Sequence, residues 1–152
     1  MRIIGGNLKG KKLFFLNTKT TRPLRDIVKE SIFNVIFHSY LINAKLKDSK
    51  ILDLYSGIGS FGLEFISRGA SHVSFVENDK QALVLLKKNI ENIDIKNKTS
   101  LHQKTVNNFI NQSDLNFKYD IIFFDPPFSD KFFIDELKSI RDKKIYDENH
   151  LI

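Results

Sequence analysis

From Lys50 onward the chain repeats one pattern: a short, nearly continuous apolar run, a turn, then a stretch with apolar residues at helical spacing. Ile51-Leu52-Asp53-Leu54-Tyr55, His72-Val73-Ser74-Phe75-Val76-Glu77 and Tyr119-Asp120-Ile121-Ile122-Phe123-Phe124 read as strands, with a weak one near Leu101. Helices are expected to about residue 68, along the stripe Ala82, Leu85, Leu86, Ile90 and Ile93, through Val106, Phe109 and Ile110, and through Phe133, Leu137 and Ile140. Strands apolar on both faces cannot leave one side to water, so this alternation predicts an α/β, Rossmann-like fold: a central parallel sheet flanked by helices. Only Leu151-Ile152 remain where a fifth strand would begin, which places the apolar fourth strand at or near a sheet edge, its C-terminal neighbours missing. An apolar edge needs cover, so either the chain is truncated or something else lies there.

Before Lys50 the signals differ. Ile3-Ile4 and Leu13-Phe14-Phe15-Leu16 flank Gly5-Gly6-Asn7-Leu8-Lys9-Gly10, the makings of a small basic hairpin or loop. Pro23 disfavours helix at Arg22, and Val28, Ile32, Val35 and Ile36 then predict a helix over about residues 26–40. Residues 1–30 hold eight Lys/Arg against Asp26 and Glu30, which accounts for the whole net charge of +6. A basic arm on a neutral core suggests a polyanionic partner, against the plainer reading of a solubilising lysine-rich tail. With 152 residues and 41% hydrophobic content, one domain is expected: a basic extension (1–25), a helix packed on the core (26–45) and the core itself (50–152). No apolar run nears the roughly 20 residues that span a bilayer, and no secretory segment opens the chain, so a cytoplasmic protein is expected. With no cysteine and four scattered histidines, no metal site is expected.

Gly57-Ile58-Gly59-Ser60-Phe61-Gly62 has the G-x-G-x-x-G spelling between a strand and a helix, and Glu77 ends the next strand. Such glycines let a ligand approach the backbone, and a carboxylate in that place can accept from both hydroxyls of a ribose. NAD and S-adenosylmethionine both carry an adenosine ribose. Asp53, inside the first strand, suits a ligand with an ammonium group and tilts the choice to S-adenosylmethionine; a buried, hydrogen-bonded or helix-capping carboxylate is the alternative. Tyr55 and Asn78 complete the candidate cofactor set with Asp53, Gly57, Gly59 and Glu77.

Asp125-Pro126-Pro127-Phe128 follows the last apolar run, at the carboxyl end of a central strand where open α/β sheets bind ligands. Two prolines remove two backbone donors, leaving the Asp125 carboxylate and the Pro126 carbonyl as acceptors for the two N–H groups of an exocyclic base amine. Phe128 can stack on the base. These four are the candidate catalytic residues, for direct in-line methyl transfer resting on positioning and electrostatics. The plainer reading is a strand stop with Asp125 as a helix cap.

The chain resembles the bacterial 16S rRNA guanine-N2 methyltransferases, and through the Asp-Pro-Pro-aromatic motif also the amino-directed DNA methyltransferases. The likeness covers Met1-Arg2-Ile3-Ile4-Gly5-Gly6, Arg22-Pro23 with Asp26, Val28, Glu30 and Phe33-Asn34, then Asp53, Gly57, Gly59, Gly62-Leu63-Glu64, Glu77, Asp79 and residues 125–128. The resemblance implies a class I S-adenosylmethionine-dependent methyltransferase fold and a guanine 2-amino substrate in ribosomal RNA of an assembling small subunit. The enzyme is expected to act as a monomer, with Arg2, Lys9, Lys11, Lys12, Arg22 and Arg25 gripping phosphates. Thr105 stands where the family carries Asn or Asp for the adenine, and family members continue beyond the equivalent of Ile152, so the chain is expected to be truncated. A DNA adenine-amine methyltransferase, a non-catalytic RNA-binding assembly factor and, last, an NAD oxidoreductase remain as other readings.

Overall fold

The computed structural model describes residues 1–15, 26–39, 45–112 and 118–152. After α1 (Asp26–His38), strands and helices alternate: β1 (Lys50–Leu54), α2 (Ser60–Ser67), β2 (His72–Glu77), α3 (Lys80–Asn92), β3 (Thr99–Gln103), α4 (Val106–Ile110), β4 (Tyr119–Phe124), α5 (Phe133–Lys143) and β5 (Tyr146–Leu151). All paired strands are parallel, in the order β3-β2-β1-β4-β5, so β1 is central and the order reverses beside it. This is the Rossmann-like arrangement that the alternation predicted, with the crevice for a ligand at the carboxyl ends of β1, β2 and β4.

One apolar layer packs Ile51, Val73, Phe75 and Ile121 under Phe33, Phe61, Phe65, Leu86 and Ile90, from α1, α2 and α3. The other packs Leu52, Leu54, Val76 and Ile122 under Val106, Phe109, Ile110 and Ile140, from α4 and α5. Asp79 caps α3 by accepting from the Ala82 N–H at 2.7 Å, and Thr105 caps α4 by accepting from the Asn108 N–H at 3.2 Å.

Three expectations change. The fourth strand is not at the edge, because β5 pairs with it from Tyr146 to Leu151 with a register shift between Tyr119 and Ile121. Its sequence, Tyr-Asp-Glu-Asn-His-Leu, is solvated over most of its length and carries no apolar period, so the pattern did not announce it. The stripe of α1 is half as expected: Ile36 is buried and Ile32 packs against the core, but Val28 and Val35 face solvent and Lys29 and Phe33 are buried in their place. In α3 the buried set is Leu83, Leu86, Asn89 and Ile90, with Ala82 and Leu85 at its margin.

The N-terminal segment closes as a small hairpin, with an Arg2–Lys12 antiparallel bridge and hydrogen bonds from the Ile3 and Leu13 N–H groups to Lys11 O (2.9 Å) and Met1 O (3.0 Å). The helix ends at His38, where an end near residue 40 was expected, and Tyr40, Leu16, Arg22, Pro23 and Arg25 lie outside the described residues.

Candidate functional site

The turn from β1 into α2 runs through Tyr55, Gly57 and Gly59 at φ +58°, +54° and +81°. A Cβ on Gly59 would lie 2.3 Å from a Leu86 methyl, so α3 packs where a side chain would be. A Cβ on Gly57 would meet nothing within 4 Å. Gly57 is therefore required by its backbone conformation, and the space above it stays open for a ligand.

Asp53 is 1% exposed and accepts from the Gly62 N–H at 3.0 Å. Burial pushes its carboxyl up to about 8, the Gly62 bond works against this, and Asp125 and Glu77 add repulsion. The buried, helix-directed arrangement weighed against ligand contact in the sequence is thus the one the structure displays. Its three neighbours nevertheless mark it as a group that a nearby cation would ionise.

Glu77 closes over the glycine loop. Its Oε2 accepts from the Gly57 N–H at 2.6 Å, and its Oε1 accepts from the Asn78 and Asp79 N–H groups at 2.8 and 2.7 Å. A carboxylate offers about four lone-pair directions, so capacity remains for a ribose hydroxyl. Beside it opens a cavity of about 330 Å³ bordered by four members of the predicted set, Tyr55, Glu77, Asn78 and Thr105. Lys104, Asn107, Asp130, Phe132 and Glu136 also border it, and none of these was singled out in the sequence. Asp130 and Glu136 fall in a loop and on a helix whose pattern reads as solvated, so only their three-dimensional meeting reveals them. The Tyr55 hydroxyl lies 2.7 Å from carboxylate oxygens of both.

Asp125, Pro126, Pro127 and Phe128 follow β4, which pairs Leu54 of β1 with Phe124. The four therefore stand beside the glycine loop, at the reversal in strand order. Partial desolvation raises the Asp125 carboxyl above its ordinary range, and the Phe128 ring stands fully in solvent. The Pro127 carbonyl accepts from the Asp130 N–H at 2.8 Å, which turns the loop back toward α5.

On the hairpin, Arg2, Lys9, Lys11 and Lys12 are exposed, with Arg2 3.3 Å from Asp26. Lys29, part of the same run of basic residues, is fully buried, donating to Arg2 O at 3.1 Å with Glu64 at 3.8 Å. Glu64, also fully buried, accepts from the N–H groups of Ile4 (2.9 Å) and Gly5 (2.7 Å) and from Arg68 Nε (2.9 Å). A Cβ on Gly5 would lie 2.3 Å from the Arg68 guanidinium. The N-terminal run Arg2-Ile3-Ile4-Gly5-Gly6 is thus a seam against α2. A second fastener is Asn89 of α3, which accepts from Phe14 N–H (2.7 Å) and donates to Phe14 O and Ile58 O (both 3.1 Å). One buried amide ties the hairpin to the glycine loop.

The whole chain, residues 1–152, matches the family described as Conserved hypothetical protein 95. Ribosomal RNA small subunit methyltransferase D of Buchnera aphidicola (Acyrthosiphon pisum strain APS) is 33% identical over 150 residues, covering 99% of this chain and 74% of that one. The Haemophilus influenzae protein of the same name is 39% identical over 136 residues, 84% of this chain and 64% of that one. Among solved structures, Escherichia coli yhhF, described as a candidate methyltransferase, superposes with a TM-score of 0.76 at 26% identity, over 100% of this chain and 74% of its own. The fold is that of the class I methyltransferases, the chain spans between about two thirds and three quarters of these relatives, and it belongs to the Conserved hypothetical protein 95 family, that of the ribosomal RNA small subunit methyltransferase D proteins.

Proposed function

We propose that this chain binds S-adenosylmethionine and methylates the exocyclic 2-amino group of a guanine in small-subunit ribosomal RNA, in subunits still assembling. The observation that carries the reading is that Asp125-Pro126-Pro127-Phe128 follows the end of β4, which pairs with β1 beside the glycine loop. Relatives named for small-subunit rRNA methylation support the polymer, and the exposed lysines of the hairpin suit phosphates.

The residues fit the cofactor. Gly57 leaves room at the backbone, Glu77 keeps acceptor capacity for the ribose, and Asp53, which burial keeps protonated, is the carboxyl a ligand ammonium would draw toward ionisation. S-adenosylmethionine supplies a methyl group already activated on a sulfonium. The Asp125 carboxylate and the Pro126 carbonyl accept from the two N–H groups of the base amine, aiming the nitrogen lone pair along the line of transfer, while Phe128 stacks on the base. As the N–C bond forms and the S–C bond breaks, positive charge develops on the nitrogen, and Asp125 stabilises it before its proton passes to Asp125 or to solvent.

Tritiated methyl transfer to deproteinised RNA and to partly assembled subunits tests the reading, with digestion of the product to nucleosides. Methyl on guanine N2, reduced about 10²-fold or more by Asp125→Ala, is the expected result. Label on adenine of DNA would favour the DNA enzyme, and undiminished transfer by Asp125→Ala would remove Asp125 from the chemistry.

A further inference from the structure

We propose that Asp130 and Glu136, joined through the Tyr55 hydroxyl, are positioning residues that hold the loop bearing Asp125 and Phe128 against the end of β1. The inference rests on reading that loop as the base-binding one. Asp130 is the centre of the device. Its N–H donates to Pro127 O at 2.8 Å and its Oδ1 accepts from the Phe132 N–H at 2.7 Å, so one residue fixes both sides of the turn after Phe128. Its Oδ2 is 2.7 Å from the hydroxyl of Tyr55, the first residue after β1 in the turn that leads into the glycine loop.

Glu136 Oε2 lies 2.7 Å from the same hydroxyl. A phenol has one proton to give, and a second short contact between two oxygens needs a second proton. Two ionised carboxylates around it would leave one pair of acceptors in unscreened contact. Glu136 is the group that takes the extra proton, being 7% exposed, and its burial, with Asp130 adding repulsion, raises it above the ordinary carboxylate range. With Glu136 protonated, its O–H donates to the Tyr55 oxygen and the Tyr55 O–H donates to Asp130.

The groups around Glu136 are known from each side. Asp130 from the loop opposes its ionisation, while the Asn107 N–H of α4 and the Tyr55 hydroxyl favour it. Glu77 at the end of β2 and Lys104 before α4 border the same cavity. On its own helix, Asp135 and Lys138 are exposed and paired with each other. Because the folded pKa is raised, the tether is complete at low pH and is lost as pH rises through that value.

Hydrogen exchange of the Asp130 and Phe132 amides, corrected for intrinsic pH dependence, reads the tether without any substrate. The expected result is protection that falls with rising pH in the parent protein, exchange roughly tenfold faster at low pH in Tyr55→Phe, and pH-independent protection in Glu136→Gln, whose amide donates at any pH. The alkaline fall of kcat/KM for methyl transfer should likewise vanish in Glu136→Gln. Equal protection in Tyr55→Phe and the parent, or an unchanged pH response in Glu136→Gln, would overturn the proposal. If the exchange results hold while no nucleic acid accepts methyl, the positioning role stands and the proposed function falls. If Tyr55→Phe fails to fold, Glu136→Gln decides.

Discussion

Asp53 is a carboxyl sealed between strand and helix, 1% exposed and held by the Gly62 N–H. Burying a charge there is costly, so the group prefers its proton, up to about pH 8 against an ordinary value of 3.8. A raised folded pKa contributes stability that is complete below about 4 and is lost as pH rises toward 8. Asp53→Asn keeps an acceptor for Gly62 and does not titrate. Thermal melts of this variant should therefore lose the downward slope in Tm that the parent shows between pH 4 and 8, and a slope of equal size in both would contradict the assignment. A ligand ammonium would lower the same pKa, so cofactor binding at pH 7 should release a proton, seen as a buffer-dependent heat. The sequence marked Asp53 as out of place in an apolar strand, and that was legible because a carboxylate in such a run has few explanations. It did not separate ligand contact from burial, which depends on where the first turn of α2 falls. Asp130 and Glu136 were invisible for a different reason: each is ordinary in its own segment, and they matter only because Tyr55 brings them together.

At the scale of elements, β1, β2 and β4 and the helices that follow them stand where their apolar runs and stripes put them, although the buried set of α3 shifts to include Leu83 and Asn89 and β3 is only partly buried. What was missed lacks such a stripe. β5 is solvated over most of its length, and in α1 Lys29, counted as a solvent cation, occupies a core position against Glu64 while Val28 and Val35 face solvent. The Glu64 seam explains why glycines and a glutamate far apart in sequence go together: Glu64 accepts from the N–H groups of Ile4 and Gly5, and at Gly6 the backbone meets Ser67 of α2 too closely for a side chain. Removing one partner of a buried pair strands the other. Glu64→Ala should cost about 3–5 kcal/mol in urea unfolding, with part recovered in the Glu64→Ala, Lys29→Met double variant. A loss below about 1 kcal/mol would show that the hairpin is held mainly by its other contacts, Ile3 and Leu13 in the core and the Asn89 bonds to Phe14.

For the whole molecule the charge is arranged in halves. The first thirty residues carry the entire net charge of +6, and beyond them acids and bases balance. Folding redistributes part of this. Lys29 is buried against Glu64 and Arg2 faces Asp26, while Lys9, Lys11 and Lys12 remain exposed on a hairpin that Asn89 and Glu64 fasten to the cofactor side of the fold. A polyanion drawn to that hairpin is brought to the glycine loop as well, since Asn89 links Phe14 to Ile58. Phosphate contacts release counterions, and each contact adds about 0.7 to 0.9 to the slope of log affinity against log salt. If all three lysines contact phosphates, replacing them together by alanine should reduce that slope by about two to three, weaken RNA of any sequence alike, and leave S-adenosylmethionine affinity in the absence of RNA unchanged. A slope that does not move would assign these lysines to solubility and shift the phosphate grip to other cations of the arm. A loss confined to one RNA sequence would instead mean that the hairpin reads bases, for which three flexible ammonium groups, lacking the planar fork of arginine, are poorly suited.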